Sequence, residues 1–475
     1  PTASAPQNSA RGGSRRMGNT PSQYSASDLF TMCMGPRWKV ALDESKLKTA
    51  TWNIAAVNNN PFEYWVKHED ASYNTLMQGV ESFIDQPGER DVPVSQVFTP
   101  AMWAELKALM MTQGWDVAAT EQLWTSDFAG RKIISGFMKD KELGEKRLAS
   151  MPDRVTNTIN TLGEAGKVHR PTVISCYDGD MSSMAAWWKE WRAFMFEIQL
   201  TVAGKKGAVT TTTPAGMLPP IKRAKYPALS AEEEAISVPL QALCMAIFDA
   251  ILVHIVTTCS ADGTWLRLKR QMLQALYAKK DARIAQILTQ TYAEADALFL
   301  QEVANDFIRK AQATELAARY HIAACDTIDG SRDQNSLILL SRRYFNIATV
   351  VEHTQEVMAA FDSSVPVAPG DLLLLSVDDM QGRSYLLASF HGDTNGLATL
   401  PVLAAVHALA QRMPSHRLIF GLDANTYVQG SASKQGVVEF GQDFVSKGYS
   451  SCWGDAPDPS NHTTFNARTF LQPQL

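Results

Sequence analysis

The chain has little of what would mark a secreted, redox-active or nucleic-acid-coating protein. Its six cysteines (Cys33, Cys176, Cys244, Cys259, Cys325 and Cys452) are scattered over 475 residues with no C-x-x-C pair. That spacing offers neither a zinc ribbon nor a disulfide framework, and reduced thiols in an intracellular compartment are expected, cytoplasmic first and organellar second. Positive charge is short as well. Lys and Arg number 44 against 49 Asp and Glu, a formal charge of −5, so no global field draws the chain onto nucleic acid. A nucleic-acid substrate would need a local basic patch. No secretory apolar region stands near the N-terminus, and no internal repeat is visible. Long apolar runs are nearly absent: one, residues 235–259, contains no Lys or Arg and is long enough to cross a bilayer. Pro239, Gln241, Asp249 and His254 interrupt it, and a central carboxylate costs roughly 2.5–3.5 kcal/mol on insertion. A buried helix is therefore expected, not a stable membrane span, with Asp249 and His254 either paired in the core or facing solvent.

What is present is enough apolar material, 45% of residues, for two or three domains with real cores. Residues 1–45 read as a disordered or poorly ordered tail, its start rich in Ser, Ala, Gln, Asn, Gly and Arg. Arg11, Arg15 and Arg16 there fit the remnant of a transit peptide or a plain flexible leader. Residues 46–57 read as a strand running into Asn58, Asn59, Asn60 and Pro61. A mainly helical segment, 68–295, follows, with helices expected over 71–84, 99–113, 117–138, 181–199, 236–257 and 263–295. Trp187, Trp188 and Trp191 are expected to pack between helices, and 203–220 to form an exposed linker. From 296 the texture changes. Strands are expected at 297–303, 336–340, 347–352, 371–377, 385–390 and 417–422, and helices at 304–317, 398–412 and 436–447. That alternation predicts a layered α/β or α+β sheet domain over 46–67 and 296–475.

Four of these strands stop at a polar residue. Asn53 ends Thr51-Trp52-Asn53, Glu302 follows Leu300-Gln301, and His391 follows Ser389-Phe390. After Leu418-Ile419-Phe420-Gly421-Leu422 come Asp423 and Asn425. If the extended backbone persists, a period of two places Asp423 and Asn425 on one face. Singly, each fits a turn or a helix terminus. Together they supply two carboxylates, two amides and an imidazole, an inventory suited to metal-assisted attack of water on a phosphate ester.

The order T-W-N, Q-E-V, S-F-H and G-L-D-A-N resembles the endonuclease/exonuclease/phosphatase superfamily, whose fold is the DNase I-like four-layered α/β sandwich. The resemblance covers about 46–67 and 296–475 and implies a mainly helical domain, 68–295, inserted after the first strand. It implies Mg²⁺, with Mn²⁺ as a substitute, held principally by Glu302 with Asn53 beside it. It implies that His391 polarises the phosphate, Asp423 orients or activates water, and Asn425 stabilises transition-state charge. The substrate it implies is a phosphodiester or phosphomonoester, with nucleic acid or a nucleotide ahead of a phospholipid or inositol phosphate. The insertion is expected to gate the site or to dock a protein partner. The family's closing Ser-Asp-His does not occur in this chain; a C-terminal truncation is the expected reason, and the piece alone is expected to be nearly inactive. The competing expectation is a non-catalytic scaffold on a degenerate sheet.

Overall fold

The computed structural model describes residues 46–55, 58–63, 66, 68–162, 166–203, 208–260, 262–328 and 332–456. The expected N-terminal tail, Arg11, Arg15, Arg16 and Cys33, and the segment after residue 456, lie outside the described residues.

Two four-stranded sheets hold the C-terminal part together. In the first, β1 (Thr49–Asn53) lies at one edge. Helical-segment hairpins supply β2 (Thr158–Asn160), β3 (Lys167–His169), β4 (Leu200–Ala203) and β5 (Val209–Thr212). The first sheet is completed by β6 (Ala297–Val303), β7 (Tyr320–Ala324) and β8 (Asn335–Ser341), in the order β1-β6-β8-β7. β1 pairs with β6 in parallel, Asn53 opposite Gln301. The second sheet has β9 (Phe345–Glu352), β10 (Leu372–Asp379), β11 (Ser384–His391) and β12 (Arg417–Asp423), in the order β12-β11-β10-β9. Here the parallel pair is β11 with β12, His391 opposite Asp423.

The sheets pack face to face, and helices cover their outer faces. Leu298, Leu300, Leu337 and Leu339 of the first sheet join Phe307, Ile308, Ile284 and Leu288 from helices in one apolar cluster. Leu372, Leu374, Leu386 and Ala388 of the second join Val402, Val406 and Leu409 of the helix Thr399–Arg412 in another. Helix, sheet, sheet, helix is the four-layered α/β sandwich expected from the sequence. Between the sheets a polar staple crosses the apolar layer. The buried Gln301 amide donates to Ser389 Oγ at 3.1 Å and to Thr51 Oγ1 at 3.1 Å, while Ser389 Oγ donates to the Leu300 carbonyl at 3.1 Å.

Gly421 sits where β12 meets Phe299 of β6 in the other sheet. A Cβ there would lie 2.4 Å from Phe299 Cβ, so the absence of a side chain is what lets β12 approach β6. Gly421→Ala is expected to lose about 1–3 kcal/mol by overpacking, read as a lower urea midpoint. An unchanged midpoint would show that this contact yields freely.

Between β1 and β6 the chain makes a mainly helical excursion with its own apolar cluster, built around Tyr73, Phe83, Trp187, Trp191 and Trp265. The tryptophans pack as expected, Trp188 stacking on Trp191 at 5.4 Å. At its centre lies the helix Ser237–Cys259, the one described helix long and apolar enough to cross a membrane, with 78% of its most apolar stretch buried inside the protein. Asp249 on it is fully buried, yet its partner is not His254. Arg170 Nε donates to Asp249 Oδ2 at 2.8 Å, Trp191 Nε1 at 2.8 Å and Thr172 Oγ1 donates to Oδ1 at 2.6 Å. Burial pushes the Asp249 carboxyl up against the opposing pull of Arg170. Burial also works against the Arg170 charge, but Asp249 and Asp153 outweigh it and hold the guanidinium's pKa above its usual value. His254 instead meets the edge of Phe83.

The excursion departs from expectation where one stretch must serve two neighbours. The helix expected over 117–138 ends at Ser126, where Arg131 turns out to pair with Asp127 and Asp140. The one expected over 263–295 is Thr264–Leu273, a π turn at Gln274–Ala278, and a second helix, Lys280–Gln290. Trp265 and Leu268 belong to the helical core while Ile284 and Leu288 belong to the sandwich, so the apolar face has to rotate between them. Residues 203–220 are no open linker: they include β5, which pairs with β4, and the buried Ala215. Helix 304–317 is split into Asn305–Ala311 and Glu315–Arg319, and β7 was not foreseen.

His169 on β3 provides a pH test of the excursion. Its ring lies 3.0 Å from Thr158 Oγ1 and 3.3 Å from the Tyr277 hydroxyl. Burial, then the charges of Lys269 and Lys167, bring its pKa from 6.5 down to about 4. Between those values the unfolded chain takes a proton that the folded chain refuses. This contribution to stability is therefore full above pH 6.5 and falls as the pH drops through 4. Against His169→Gln, the wild type should lose on the order of 1 kcal/mol of relative stability across that window, a figure discounted for solvent screening. Urea unfolding at stepped pH measures it, and a relative stability that rises toward acid would contradict the assignment.

Candidate active site

The register of the two sheets brings the strand ends together. Thr51, Ser389 and Gly421 face the layer between the sheets, where Gln301 meets all three. Two residues further along the same faces stand Asn53, His391 and Asp423, because side chains alternate with a period of two. Each is the last residue of its strand. Asn53 Nδ2 donates to Asp423 Oδ2 at 2.8 Å and to Glu302 Oε1 at 2.9 Å, so one amide spans both sheets.

Glu302 should not be there by alternation. It follows Gln301, and an extended backbone would send it to the helix-covered face with Leu300. Two departures redirect it. The β6–β8 register shifts between Leu300 and Val303, and Glu302 adopts a left-handed φ of 50°. That conformation costs a side-chain-bearing residue roughly 1–2 kcal/mol, and such strain collects at functional sites. As a result Glu302 Oε1 lies 3.3 Å from His391 Nε2, with the two side chains 25% and 13% exposed. Asn425 is redirected similarly. The strand stops at Asp423 and Asn425 has φ 47°, so the two do not share a face through continued extension. The Asn425 N–H folds back onto Asp423 Oδ1 at 3.2 Å, and its amide nitrogen reaches His391 Nε2 at 3.3 Å. The Glu302 and Asn425 contacts are alternatives for one ring nitrogen: a protonated Nε2 donates to Glu302, a bare Nε2 accepts from Asn425.

All five expected residues thus converge. Three contributors were not foreseen. Gln301 fastens the sheets directly behind the cluster. Asp371, facing His391 across the β10–β11 pair, accepts the His391 backbone N–H on its backbone carbonyl at 3.0 Å, and its carboxylate pairs with Arg332. Burial raises its carboxyl, opposed by the Ala368 N–H and by the Arg332 and His391 charges. The third, Lys280, comes from the helical excursion and donates to the Ala55 carbonyl. Gln301, in the Q-E-V run, and Asp371, at the head of an apolar run, carried a readable signal; Lys280 did not.

Among the described residues no group of three or more His, Cys, Asp or Glu is spaced to enclose a metal. What is present is an open pair of carboxylates, Glu302 and Asp423, on one bridging amide. That donor set fits Mg²⁺, which takes one or two carboxylates and completes its shell with water and substrate oxygens. It does not fit a closed structural zinc site. Asn53 Oδ1 accepts the Ala55 N–H at 2.9 Å, and its amide nitrogen holds the two carboxylates in place.

Residues 91–270, inside the helical excursion, match the family model described as Domain of unknown function (DUF8234). A comparison with curated proteins found no match. Among solved structures the chain is similar to an endonuclease/exonuclease/phosphatase family protein from Bacteroides thetaiotaomicron, at 18% identity over 35% of this chain and 59% of that one, TM-score 0.27. It is also similar to ANGEL2, a 2',3'-cyclic phosphatase, at 16% identity over 41% and 55%, TM-score 0.26. A third is D. rerio TDP2 in complex with a single-strand DNA product, at 16% over 35% and 59%, TM-score 0.24. The chain spans a little over half the length of each.

Proposed function

We propose that this chain carries the cation- and phosphate-binding cluster of a Mg²⁺-dependent phosphoesterase acting on a phosphodiester or phosphomonoester, a nucleotide or nucleic-acid phosphate first, with low turnover for want of a Ser-Asp-His. The observation that carries the reading is the convergence of Asn53, Glu302, His391, Asp423 and Asn425 from four strand ends of two sheets, two of them in left-handed backbone. Glu302 would hold the cation, which supplies charge neutralisation at the phosphate and a more acidic bound water. Asp423, fixed by Asn53, orients and accepts a proton from the attacking water. His391 donates to a non-bridging phosphate oxygen, and Asn425 faces the charge that grows there. The test is hydrolysis of bis(p-nitrophenyl) phosphate by the full chain with Mg²⁺ and with EDTA. Hydrolysis indifferent to EDTA and Mg²⁺ would remove the metal from the mechanism.

A second reading has one observation in its favour. The family model falls wholly within the helical excursion, which fits a partner-binding module carried on a sheet framework. Mg²⁺-dependent turnover that vanishes with Glu302 decides for the enzyme.

A further inference from the structure

The site as assembled has two carboxylates within reach of one amide, and a phosphate ester brings more negative charge. Within the sandwich, Arg332 pairs with Asp371, whose backbone carbonyl accepts the His391 N–H. A cation reaches the cluster from elsewhere. Lys280 opens the helix Lys280–Gln290, whose Ile284 and Leu288 pack on the outer face of the first sheet. Lys310 reaches across from the helix Asn305–Ala311 and pairs with Asp281 at 2.7 Å, so the start of the helix is tied to the sandwich. From this anchored position Lys280 Nζ points over the end of β1 and donates to the Ala55 carbonyl. Ala55 has φ 47° and gives its own N–H to Asn53 Oδ1, so one residue links the ammonium to the amide that bridges the carboxylates. The Cys176 thiol, donating to the Asn59 carbonyl at 3.5 Å, fastens the following loop to the same excursion.

We propose that Lys280 is a substrate-binding residue, delivered by the helical excursion to grip a phosphate oxygen beside Glu302. It rests on the phosphoesterase reading and adds that the excursion completes the anion site. Three observations converge on it. Among the described residues the ammonium donates to one acceptor, a carbonyl, which leaves N–H donors for a ligand. Its pKa is lowered by burial, with Glu302 first among the charges that pull it back up, which places the two groups within electrostatic reach. A π turn, Gln274–Ala278, stands just before it, and π turns recur at functional positions. A bound phosphate would lie between the ammonium and the metal-holding carboxylate, and Lys acts there as a point charge.

The test is binding of inorganic phosphate in EDTA, by isothermal titration calorimetry, to the full chain and to Lys280→Met and Lys280→Arg. Hydrolysis of bis(p-nitrophenyl) phosphate with Mg²⁺ is measured beside it. Phosphate binding should weaken by about tenfold or more in Lys280→Met and largely return in Lys280→Arg, with the hydrolytic loss carried mainly in KM. Equal binding by wild type and Lys280→Met, including the case of a lower Tm with equal binding, overturns the proposal and leaves a backbone staple. No phosphate binding by the wild type overturns it too. Lys280-dependent binding by a chain that hydrolyses nothing keeps the anion site and removes the phosphoesterase reading. Should Lys280→Met fail to fold, Lys280→Gln keeps a donor to Ala55 without the charge and is scored by the same binding criterion.

Discussion

Glu302→Gln is expected to lower Mg²⁺-dependent hydrolysis on the order of 10³-fold while leaving the fold as stable as before, or more so. The substitution keeps volume and hydrogen-bonding capacity but removes the charge that a hard cation needs. Loss of one preorganised electrostatic group typically costs 10²–10³ in turnover, and here the cation's hold is lost with it. Stability should move the other way. Glu302 stands beside a second carboxylate through Asn53 and occupies a left-handed backbone conformation; neither arrangement helps folding, and removing the charge relieves one of them. Steady-state kinetics across a Mg²⁺ titration, paired with thermal melts, measures both. Turnover within threefold of wild type would take Glu302 out of the mechanism, and a large drop in Tm would make it a structural residue.

The second large effect lies far from the site. Asp249→Leu strands Arg170, whose side chain is fully buried, with Asp153 as its remaining carboxylate. It also deprives Trp191 Nε1 and Thr172 Oγ1 of their acceptor. Breaking a buried pair from one side costs about 3–5 kcal/mol. Replacing both sides, Arg170→Met with Asp249→Leu, should recover most of that, because well-packed apolar side chains replace a buried ion pair at little loss. Trp191 bonds directly to Asp249, and tryptophan fluorescence should report a lower urea midpoint in the single variant. If the double variant is as unstable as the single one, the network contributes more than charge balance.

Apolar runs with polar ends were legible in the sequence because both sheets obey alternation: Thr51 to Asn53, Ser389 to His391 and Gly421 to Asp423 follow a period of two. The layered fold followed from the same pattern. Asp249 was legible as an anomaly in an apolar helix but not as half of a pair, since Arg170 lies 79 residues away in a stretch with no periodic signal. Glu302 and Asn425 were named from their neighbours in the chain, yet the left-handed turn that aims Glu302 leaves no mark in its residue type, whereas Asn425 is of a type that tolerates left-handed backbone and folds back on Asp423 two residues away. Lys280 was hidden for a different reason. It sits in a helix whose charge pattern is that of any solvated face, and only packing Ile284 and Leu288 onto the sandwich carries its ammonium to the end of β1.

The parallel pairing of β1 with β6 sets an order of events during synthesis. Asn53 leaves the ribosome long before Gln301, its partner in register, and at 5–20 residues per second β1 waits for tens of seconds with its ladder groups unpaired. Joining the two strands through an unfolded chain of that length would also carry a substantial loop-closure entropy. If the helical excursion folds first, around the Arg170–Asp249 pair, its two ends are already held near each other when β6 emerges. A defect in that distant core would then show itself as an edge strand left open to pair with other chains, and so as aggregation during expression, before any effect on a finished active site could be measured.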